Sequence, residues 1–208
     1  MYSLAVYDYI LIFIVYSYPS TFRPILIMVI HIVRAQFPED AEPIRSLFSG
    51  YASSLGIDLT FQSFQEELDS LPGKYAASQG GALLIARQTV DPSSTQRDST
   101  LSAPPLPRAS QVLGCVALRR SAEGWGEMKR LYVLQEARGQ RLGDKLIDAI
   151  LAQAKVLGYK GVRLDTLPQM SAAQALYRKH GFVDIVPYYE TPIQGTVFMG
   201  HDFQVLNS

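Results

Sequence analysis

The chain has 208 residues, and its 19 Lys or Arg side chains are balanced by 19 Asp or Glu side chains, so the formal net charge is zero. This balance argues against a general electrostatic nucleic-acid binder, which normally carries a clear basic excess. The single cysteine, Cys115, excludes an intrachain disulfide scaffold and a cysteine-rich zinc site, and it is compatible with a reducing, cytoplasmic location. Apolar residues make up 48% and charged residues 18% of the chain, which is the composition of a globular protein.

The first 30 residues are unusually apolar, and Asp8 and Arg23 are their only charged side chains. Two apolar runs, 9–16 and 25–33, are separated by a joint that contains two prolines and Arg23. A membrane-spanning helix needs about 20 mostly apolar residues in one piece, and neither run reaches that length. We therefore interpret 1–30 as a hydrophobic N-terminal extension of a domain that covers 31–208, with membrane anchoring as the minority alternative.

From about residue 31 onward, the hydrophobic periodicity predicts alternating strands and amphipathic helices. Glycines follow several of the helical patterns, as expected where a helix ends. This order predicts an α/β fold in which helices pack on a mixed sheet. Strands are predicted at 31–36, 82–86, 112–118, 126–134, 161–165, 182–190 and 196–203, and helices at 38–55, 61–71, 142–157 and 171–180.

Residues 88–111 differ in composition from the rest of the domain, because they are rich in Ser, Pro and Thr. A segment of this kind has too little apolar surface to pack against a sheet. We expect a disordered loop insertion between two strands.

The most informative segment is the turn between the predicted strand 126–134 and the predicted helix 142–157. It reads RGQRLG at 138–143. Backbone N–H groups at a helix N-terminus are unpaired, and the helix dipole adds partial positive charge, so such a turn suits an anion and above all a diphosphate. Its arginines add positive charge, and its glycines let the backbone approach phosphate oxygens. Taken alone, the pattern also fits an ordinary tight turn with surface arginines.

A second segment, LYRKHGF at 176–182, ends the predicted helix 171–180. Together with the turn at 138–143 and the strand EMKRLYV at 127–133, it resembles the GNAT superfamily of acyl-CoA-dependent N-acetyltransferases. The resemblance covers about 31–204, and it implies a mixed, mostly antiparallel twisted sheet with a central parallel splay and helices on both faces. One departure is Arg141, which stands where the first glycine of the motif usually lies.

The resemblance also implies acetyl-CoA as the cosubstrate, held at two places. The backbone of Leu131, Tyr132 and Val133 would hydrogen-bond the pantetheine amides as a neighbouring strand does. Holding the thioester beside the incoming amine then becomes the main catalytic contribution. The diphosphate would be bound by the turn, whose residues are Arg138, Gly139, Gln140, Arg141, Leu142 and Gly143.

Two acid–base tasks remain, and each has one candidate residue. Glu127 is the candidate base, directly or through water, and strand alternation predicts that it shares a face with Lys129, Leu131 and Val133. Tyr177 is the candidate acid for the CoA thiolate; a phenol with a pKa near 10 donates to a thiolate of pKa ~8.5 at a cost of about 2 kcal/mol. Both residues also have a structural interpretation, Glu127 as a carboxylate paired with Lys129 and Tyr177 as a half-buried helix aromatic.

We expect an enzyme that transfers acetyl directly to a primary amine in a ternary complex, rather than by a ping-pong route through Cys115. The alternative is a non-catalytic CoA-binding or scaffold module of the same fold. The acceptor stays open between a small amine, an amino acid, a peptide N-terminus and a lysine side chain. Tyr51, Phe61, Tyr188 and Tyr189 lie on segments that form the acceptor pocket in this superfamily. No metal, nucleic-acid or membrane partner is expected apart from the anchor alternative, and the oligomeric state stays open, with a homodimer as one option.

Overall fold

The computed structural model describes residues 7–9, 28–56, 63–90 and 110–204. These residues form an eight-stranded sheet with helices on both faces. The strands are β1 (Tyr7–Tyr9), β2 (Met28–Arg34), β3 (Ala82–Val90), β4 (Gln111–Arg120), β5 (Trp125–Val133), β6 (Gly161–Thr166), β7 (Val183–Asp184) and β8 (Val197–Asp202). The α-helices are α1 (Ala41–Leu55), α2 (Phe64–Asp69), α3 (Leu142–Val156) and α4 (Ser171–Lys179).

The strands lie in the order β1-β2-β3-β4-β5-β6-β8-β7, and all neighbours are antiparallel except β5 and β6. The parallel pair β5–β6 is short, running from Trp125 opposite Gly161 to Glu127 opposite Arg163. Beyond Glu127 the two strands separate, so β5 keeps β4 on one edge and has an open edge on the other. This topology confirms the mixed, mostly antiparallel sheet with a central parallel splay.

Each face of the sheet has its own hydrophobic core. On one face, α3 buries Leu146, Ile147 and Ile150 completely. On the other face, α1 buries Ile44 and Phe48 completely. Both helices carry their apolar residues three or four apart, which concentrates them on the face that meets the sheet.

The predicted strand at 182–190 is wrong over most of its length. Only Val183–Asp184 pairs as β7, followed by one further hydrogen bond from Ile185 N to Phe198 O at 2.9 Å. Pro187 has no N–H to donate to a ladder, which ends the pairing. The next residues, Tyr188 and Tyr189, instead place their rings against Phe198 at centroid distances of 5.1 and 5.2 Å.

Two predicted segments lie largely outside the described residues. β3 continues to Val90 and β4 begins at Gln111, so the strands extend into the predicted loop 88–111, whose residues 91–109 lie outside the description. The second predicted helix, 61–71, is shorter than expected, because α2 begins at Phe64. Phe61 and the other residues of 57–62 are not described.

The predicted N-terminal extension contributes to the sheet where it is described. β2 begins at Met28, and β1 pairs with it antiparallel, with Asp8 opposite His31. Ile30 of β2 is fully buried. Residues 1–6 and 10–27 lie outside the described part of the chain. Across the described ranges, no helix combines the length and the apolar character that a membrane crossing requires.

A β-bulge interrupts β5 at Arg130. The pairing between β4 and β5 shifts by one residue between Cys115–Tyr132 and Ala117–Lys129, and Arg130 has φ +58. An extra residue in one strand reverses the alternation of side chains beyond it. Odd-numbered side chains of β5 therefore point to one face of the sheet before Arg130 and to the other face after it.

The bulge overturns the prediction that Glu127 and Lys129 share a face with Leu131 and Val133. Glu127 and Lys129 lie opposite Arg119 and Ala117 of β4, on the face that α1 covers. Leu131 and Val133 pack into the core beneath α3, on the opposite face. The prediction assumed a regular alternation of side chains along β5, and the bulge at Arg130 breaks that alternation.

A buried ion pair holds the bulge. The Arg130 and Glu67 side chains are 2% and 3% exposed, with Nε–Oε1 at 2.8 Å and Nη2–Oε2 at 3.1 Å. Glu67 also accepts hydrogen bonds from Lys74 Nζ at 2.5 Å and from the Tyr75 hydroxyl at 2.9 Å. These contacts connect α2 and the segment after it to the middle of β5.

This network makes stability depend on pH in acid. Burial pushes the pKa of Glu67 up, but the hydrogen bonds and charges of Arg130 and Lys74 outweigh burial and lower the pKa from 4.5 to about 2. Because the folded-state pKa is depressed, the contribution, on the order of 3 kcal/mol, is fully present above about pH 4.5 and is lost as the pH falls towards 2. Glu67→Gln is expected to lower the free energy of unfolding at pH 7 by about 3–5 kcal/mol, since it leaves Arg130 buried without its counter-charge.

Urea unfolding at pH 7 and pH 3 measures both effects. The difference between wild type and Glu67→Gln should shrink at the lower pH, whereas the exposed neighbour Glu66, changed to Gln, should behave as wild type does. An equal difference at both pH values would contradict the assignment.

Candidate active site

A solvent-open cleft lies where β5 and β6 separate. Its base is formed by β5 and the carboxyl end of β6, and its walls by the end of α1 and the segment before β8. The polar and aromatic side chains that line it include Tyr51, Lys129, Arg130, Asp165, Thr166 and Tyr189.

Glu127 lies at the last paired position before the strands separate, and it is 3% exposed. Its Oε2 accepts a hydrogen bond from Arg119 Nε at 2.7 Å, and its Oε1 lies 3.6 Å from Lys129 Nζ and 3.4 Å from the Tyr188 hydroxyl. The contact with Lys129 matches the structural interpretation of this residue. Glu127 lies behind the residues that line the cleft, so proton exchange with a bound amine needs an intervening water or side chain.

Lys129 connects Glu127 to a second carboxylate. Its Nζ donates to Asp165 Oδ1 at 2.8 Å, and the Asp165 side chain, 14% exposed, lines the cleft. β6 positions Asp165 beside the open edge of β5. The sequence patterns did not single out Asp165; the one available signal was an acidic residue near the end of a strand that borders the predicted splay.

Tyr177 lies on α4 and is more buried than its structural interpretation assumed. It is 8% exposed, and its ring packs against Phe182 at a centroid distance of 6.0 Å. Burial raises the pKa of Tyr177, and the negative charge of Asp165 raises it further. The hydroxyl therefore stays protonated at neutral pH.

In the turn at 138–143, Arg141 replaces a glycine of the motif, and its backbone has the conformation that a glycine would adopt. Arg141 has φ +56, so it takes the left-handed conformation that a glycine there would adopt, and its side chain is 74% exposed. Gly139 has φ +82, and a Cβ placed on it would meet no atom within 4 Å. Arg138 is exposed and donates from Nε to Val133 O at 3.3 Å. The backbone of the turn is thus open to a ligand, with two arginine side chains beside it.

Two further features of the turn concern its neighbours. A Cβ on Gly143 would lie 3.1 Å from Leu176 Cδ2, so the first turn of α3 approaches α4 closely. In the described part of the chain, Gln140 Oε1 is the one buried side-chain nitrogen or oxygen without a hydrogen-bond partner. A buried acceptor of this kind is stabilised by a ligand that brings a donor.

The open edge of β5 lies between the turn and the cleft. Tyr132 and Val133 pair with Cys115 and Gly114 of β4, whereas β6 pairs with β5 no further than Glu127. Leu134 N donates to Leu113 O of β4 at 2.9 Å, so the alternating backbone groups of Tyr132 also face β4, whereas those of Leu131 and Val133 face the gap between the strands. An extended ligand there can hydrogen-bond to them as an added strand does.

The fold and the motifs agree with what known proteins show. The model of the "Acetyltransferase (GNAT) domain" family matches residues 108–184. An uncharacterized N-acetyltransferase of Schizosaccharomyces pombe is 36% identical over 171 residues, which cover 82% of this chain and 93% of that protein. The chain belongs to the GNAT family of N-acetyltransferases. This assignment confirms the predicted resemblance and the predicted enzyme class.

Other GNAT relatives extend the comparison. An uncharacterized N-acetyltransferase of Dictyostelium discoideum is 29% identical over 205 residues, covering 79% of this chain and 94% of that protein. An acetyltransferase of Staphylococcus aureus shares the fold with a TM-score of 0.62 at 18% identity, covering 83% of this chain and 98% of that one. A Brucella melitensis acetyltransferase, solved in complex with acetyl-CoA, shares the fold with a TM-score of 0.52 at 23% identity, covering 84% of this chain and 88% of that one.

Gly139 and Arg141 both have a left-handed backbone conformation, and substitutions at the two positions are expected to change the free energy of unfolding in opposite directions. Arg141→Gly removes the strain of a side chain in this conformation and is expected to raise the free energy of unfolding by about 1 kcal/mol. Gly139→Ala introduces the same strain without any clash and is expected to lower it by about 1 kcal/mol. Urea unfolding without ligand measures both, and a loss of stability in Arg141→Gly would contradict the glycine-like role of this position.

Proposed function

We propose that this chain transfers the acetyl group of acetyl-CoA to a primary amine by direct attack within a ternary complex. The observation that carries the proposal is the open edge of β5, which runs between the turn at 138–143 and the cleft that contains Asp165. A long cofactor bound along this edge has its diphosphate at the turn and its thioester in the cleft. Transfer then depends mainly on holding the thioester and the amine together.

Several features of the turn and the edge fit acetyl-CoA. The diphosphate meets backbone N–H groups at the start of α3, from Gly139 to Gly143, and the positive charges of Arg138 and Arg141. Pantetheine has amide groups that can pair with the backbone of Leu131–Val133. It also has N–H and O–H groups, which could donate the hydrogen bond that Gln140 Oε1 does not receive within the described part of the chain. The chain's own residues thus bind and orient the cosubstrate.

Direct transfer is favoured over a covalent acyl-enzyme by the position of Cys115. This residue is fully buried, and its Sγ lies 3.3 Å from Arg130 O, to which the thiol donates. Burial raises the pKa of the thiol to about 12, so it is not a thiolate at neutral pH. A protonated and inaccessible thiol is a poor nucleophile.

Tyr177 is the proposed acid and Glu127 the proposed proton acceptor. The burial that raises the pKa of Tyr177 keeps its proton available, although it makes donation more uphill than the about 2 kcal/mol between free phenol and thiol. Glu127 receives the ammonium proton through water, because Lys129 lies between its carboxylate and the cleft.

A CoA-release assay of the full chain with acetyl-CoA and a panel of primary amines tests the proposed function. The panel includes 2-phenylethylamine, spermidine, phenylalanine and short peptides. Amine-dependent CoA release is expected. Tight acetyl-CoA binding without release for any amine would instead identify the non-catalytic module.

Binding calorimetry tests the role of the turn. Acetyl-CoA is expected to bind far more tightly than dephosphorylated pantetheine, because the turn contributes much of the contact with the diphosphate. Gly139→Asp should weaken acetyl-CoA binding more than Arg138→Ala, since it adds bulk and negative charge to the open side of the turn. Equal affinity for the two ligands would contradict a diphosphate site at 138–143.

Tyr177→Phe tests the acid. The substitution removes a hydroxyl and keeps the ring packed on Phe182, so the fold and the affinity for acetyl-CoA are expected to stay close to those of wild type. If the hydroxyl protonates the leaving thiolate, kcat should fall roughly 10²- to 10⁴-fold, the usual range for a positioned acid. Steady-state CoA release measures this loss, and a wild-type kcat would rule out the assignment.

Glu127→Gln tests the proton acceptor. The loss of kcat is expected to be largest near neutral pH and to shrink as the pH approaches the pKa of the amine, because the amine then loses its proton in solution. A pH profile of kcat for wild type and variant measures this change. A loss that is uniform across pH would assign Glu127 to positioning of Lys129 instead.

A further inference from the structure

The cleft has an uneven distribution of charge. Among the described residues that line it, Asp165 is the one acidic side chain, and Lys129 and Arg130 are the basic ones. Arg130 is paired with the buried Glu67, and Lys129 lies between Asp165 and Glu127. A molecule that enters the cleft therefore meets a carboxylate at one described position, Asp165.

Asp165 has capacity for another hydrogen-bond donor. An ionised carboxylate offers about four lone-pair positions, and Lys129 Nζ uses one at 2.8 Å. Tyr189 lies beside Asp165: burial raises the pKa of this tyrosine, and the negative charge of Asp165 and a hydrogen bond with it raise the pKa further. Lone pairs remain for the N–H groups of a bound cation.

The surroundings of Asp165 also suit a cation. The side chains of Tyr51 and Tyr189 line the same cleft, and aromatic faces attract ammonium groups. Asp165 also borders the open edge of β5, along which the cosubstrate is proposed to bind. An ammonium group at Asp165 therefore lies beside the proposed path of the thioester.

We propose that Asp165 binds the ammonium group of the acceptor and selects a primary amine with one positive charge and an apolar or aromatic remainder. The proposal rests on the proposed acetyl transfer. A second positive charge on the acceptor would meet no further carboxylate, because Asp165 is the one acidic side chain among the described residues that line the cleft. The rest of the lining, with Leu55, Leu167 and Ile193, contacts an uncharged remainder. Asp165 is in this way a specificity residue, separate from the proton transfer assigned to Glu127.

Asp165→Asn in the full chain, with 2-phenylethylamine as the acceptor, tests this role. The KM for 2-phenylethylamine is expected to rise roughly 10- to 100-fold, the effect of losing a hydrogen bond to a charged group. The fall in kcat should be much smaller, and the affinity for acetyl-CoA should stay unchanged. Asp184→Asn is the matched control, because Asp184 is 62% exposed, pairs with Arg178 and lies outside the lining of the cleft.

Asp165→Glu distinguishes loss of the negative charge from damage to the structure of the cleft. It keeps the negative charge and displaces it by one methylene, so its KM is expected to fall between those of wild type and Asp165→Asn. A KM as high as that of Asp165→Asn would indicate damage to the cleft and overturn the proposal. Thermal unfolding of all variants with acetyl-CoA shows whether each one folds and binds the cosubstrate.

Three other outcomes would also overturn the proposal. One is an unchanged KM in Asp165→Asn, and another is a loss confined to kcat. The third is a kcat/KM for spermidine or phenylalanine that equals or exceeds that for 2-phenylethylamine in wild type. CoA release with other amines but not with 2-phenylethylamine rejects this acceptor class and leaves the acetyl transfer intact. The absence of release with every amine rejects the proposed function itself.

Discussion

Arg130 lies in a left-handed backbone conformation in the middle of a strand, and the buried contact with Glu67 holds it there. Such a conformation costs about 1–2 kcal/mol for a residue with a side chain. Two hydrogen bonds between charged groups each contribute about 1.5–3 kcal/mol, which exceeds that cost. The bulge, in turn, turns Leu131 and Val133 towards α3 while Lys129 stays on the side of α1. The base of the cleft depends on this reversal.

The charged side chains at and behind the cleft are in contact with partners of opposite sign. Arg119 and Lys129 contact Glu127 and Asp165, and Arg130 and Lys74 contact Glu67. An amine that enters as an ammonium ion adds one further positive charge to this cluster. Nearby positive charge favours the neutral form of an amine, and nearby negative charge favours the charged form. In the proposed complex, Asp165 and Lys129 would therefore act in opposite directions on the pKa of the bound amine.

Local patterns in the sequence were sufficient for much of the fold and for part of the site. The apolar spacing within α3 and the glycine-containing turn before it depend on neighbouring residues, so they were readable without knowing the rest of the structure. Arg141 shows where such a pattern is more reliable than residue identity, because its backbone takes the conformation of the glycine it replaces.

Features that depend on distant contacts could not be read in the same way. No glycine marks the bulge at Arg130, whose cause is a glutamate 63 positions earlier in the chain. The predicted alternation of β5 was wrong beyond that point for this reason. Asp165 becomes a cleft residue only because β6 stops pairing with β5 after Arg163. The end of β7 is set by Pro187 and by the packing of Tyr188 and Tyr189 on Phe198, which belongs to β8 later in the chain.

The close approach of Gly143 to Leu176 has a mechanical consequence. The glycine lies in the first turn of α3, where the diphosphate is proposed to bind, and Leu176 directly precedes Tyr177 on α4. A Cβ at this position would lie only 3.1 Å from the leucine methyl group, so the absence of a side chain on Gly143 lets the two helices come this close. A shift of the turn towards α4 would press on Leu176, the neighbour of Tyr177. In the proposed complex, the position of the phosphates would in this way influence the alignment of the phenol with the sulfur.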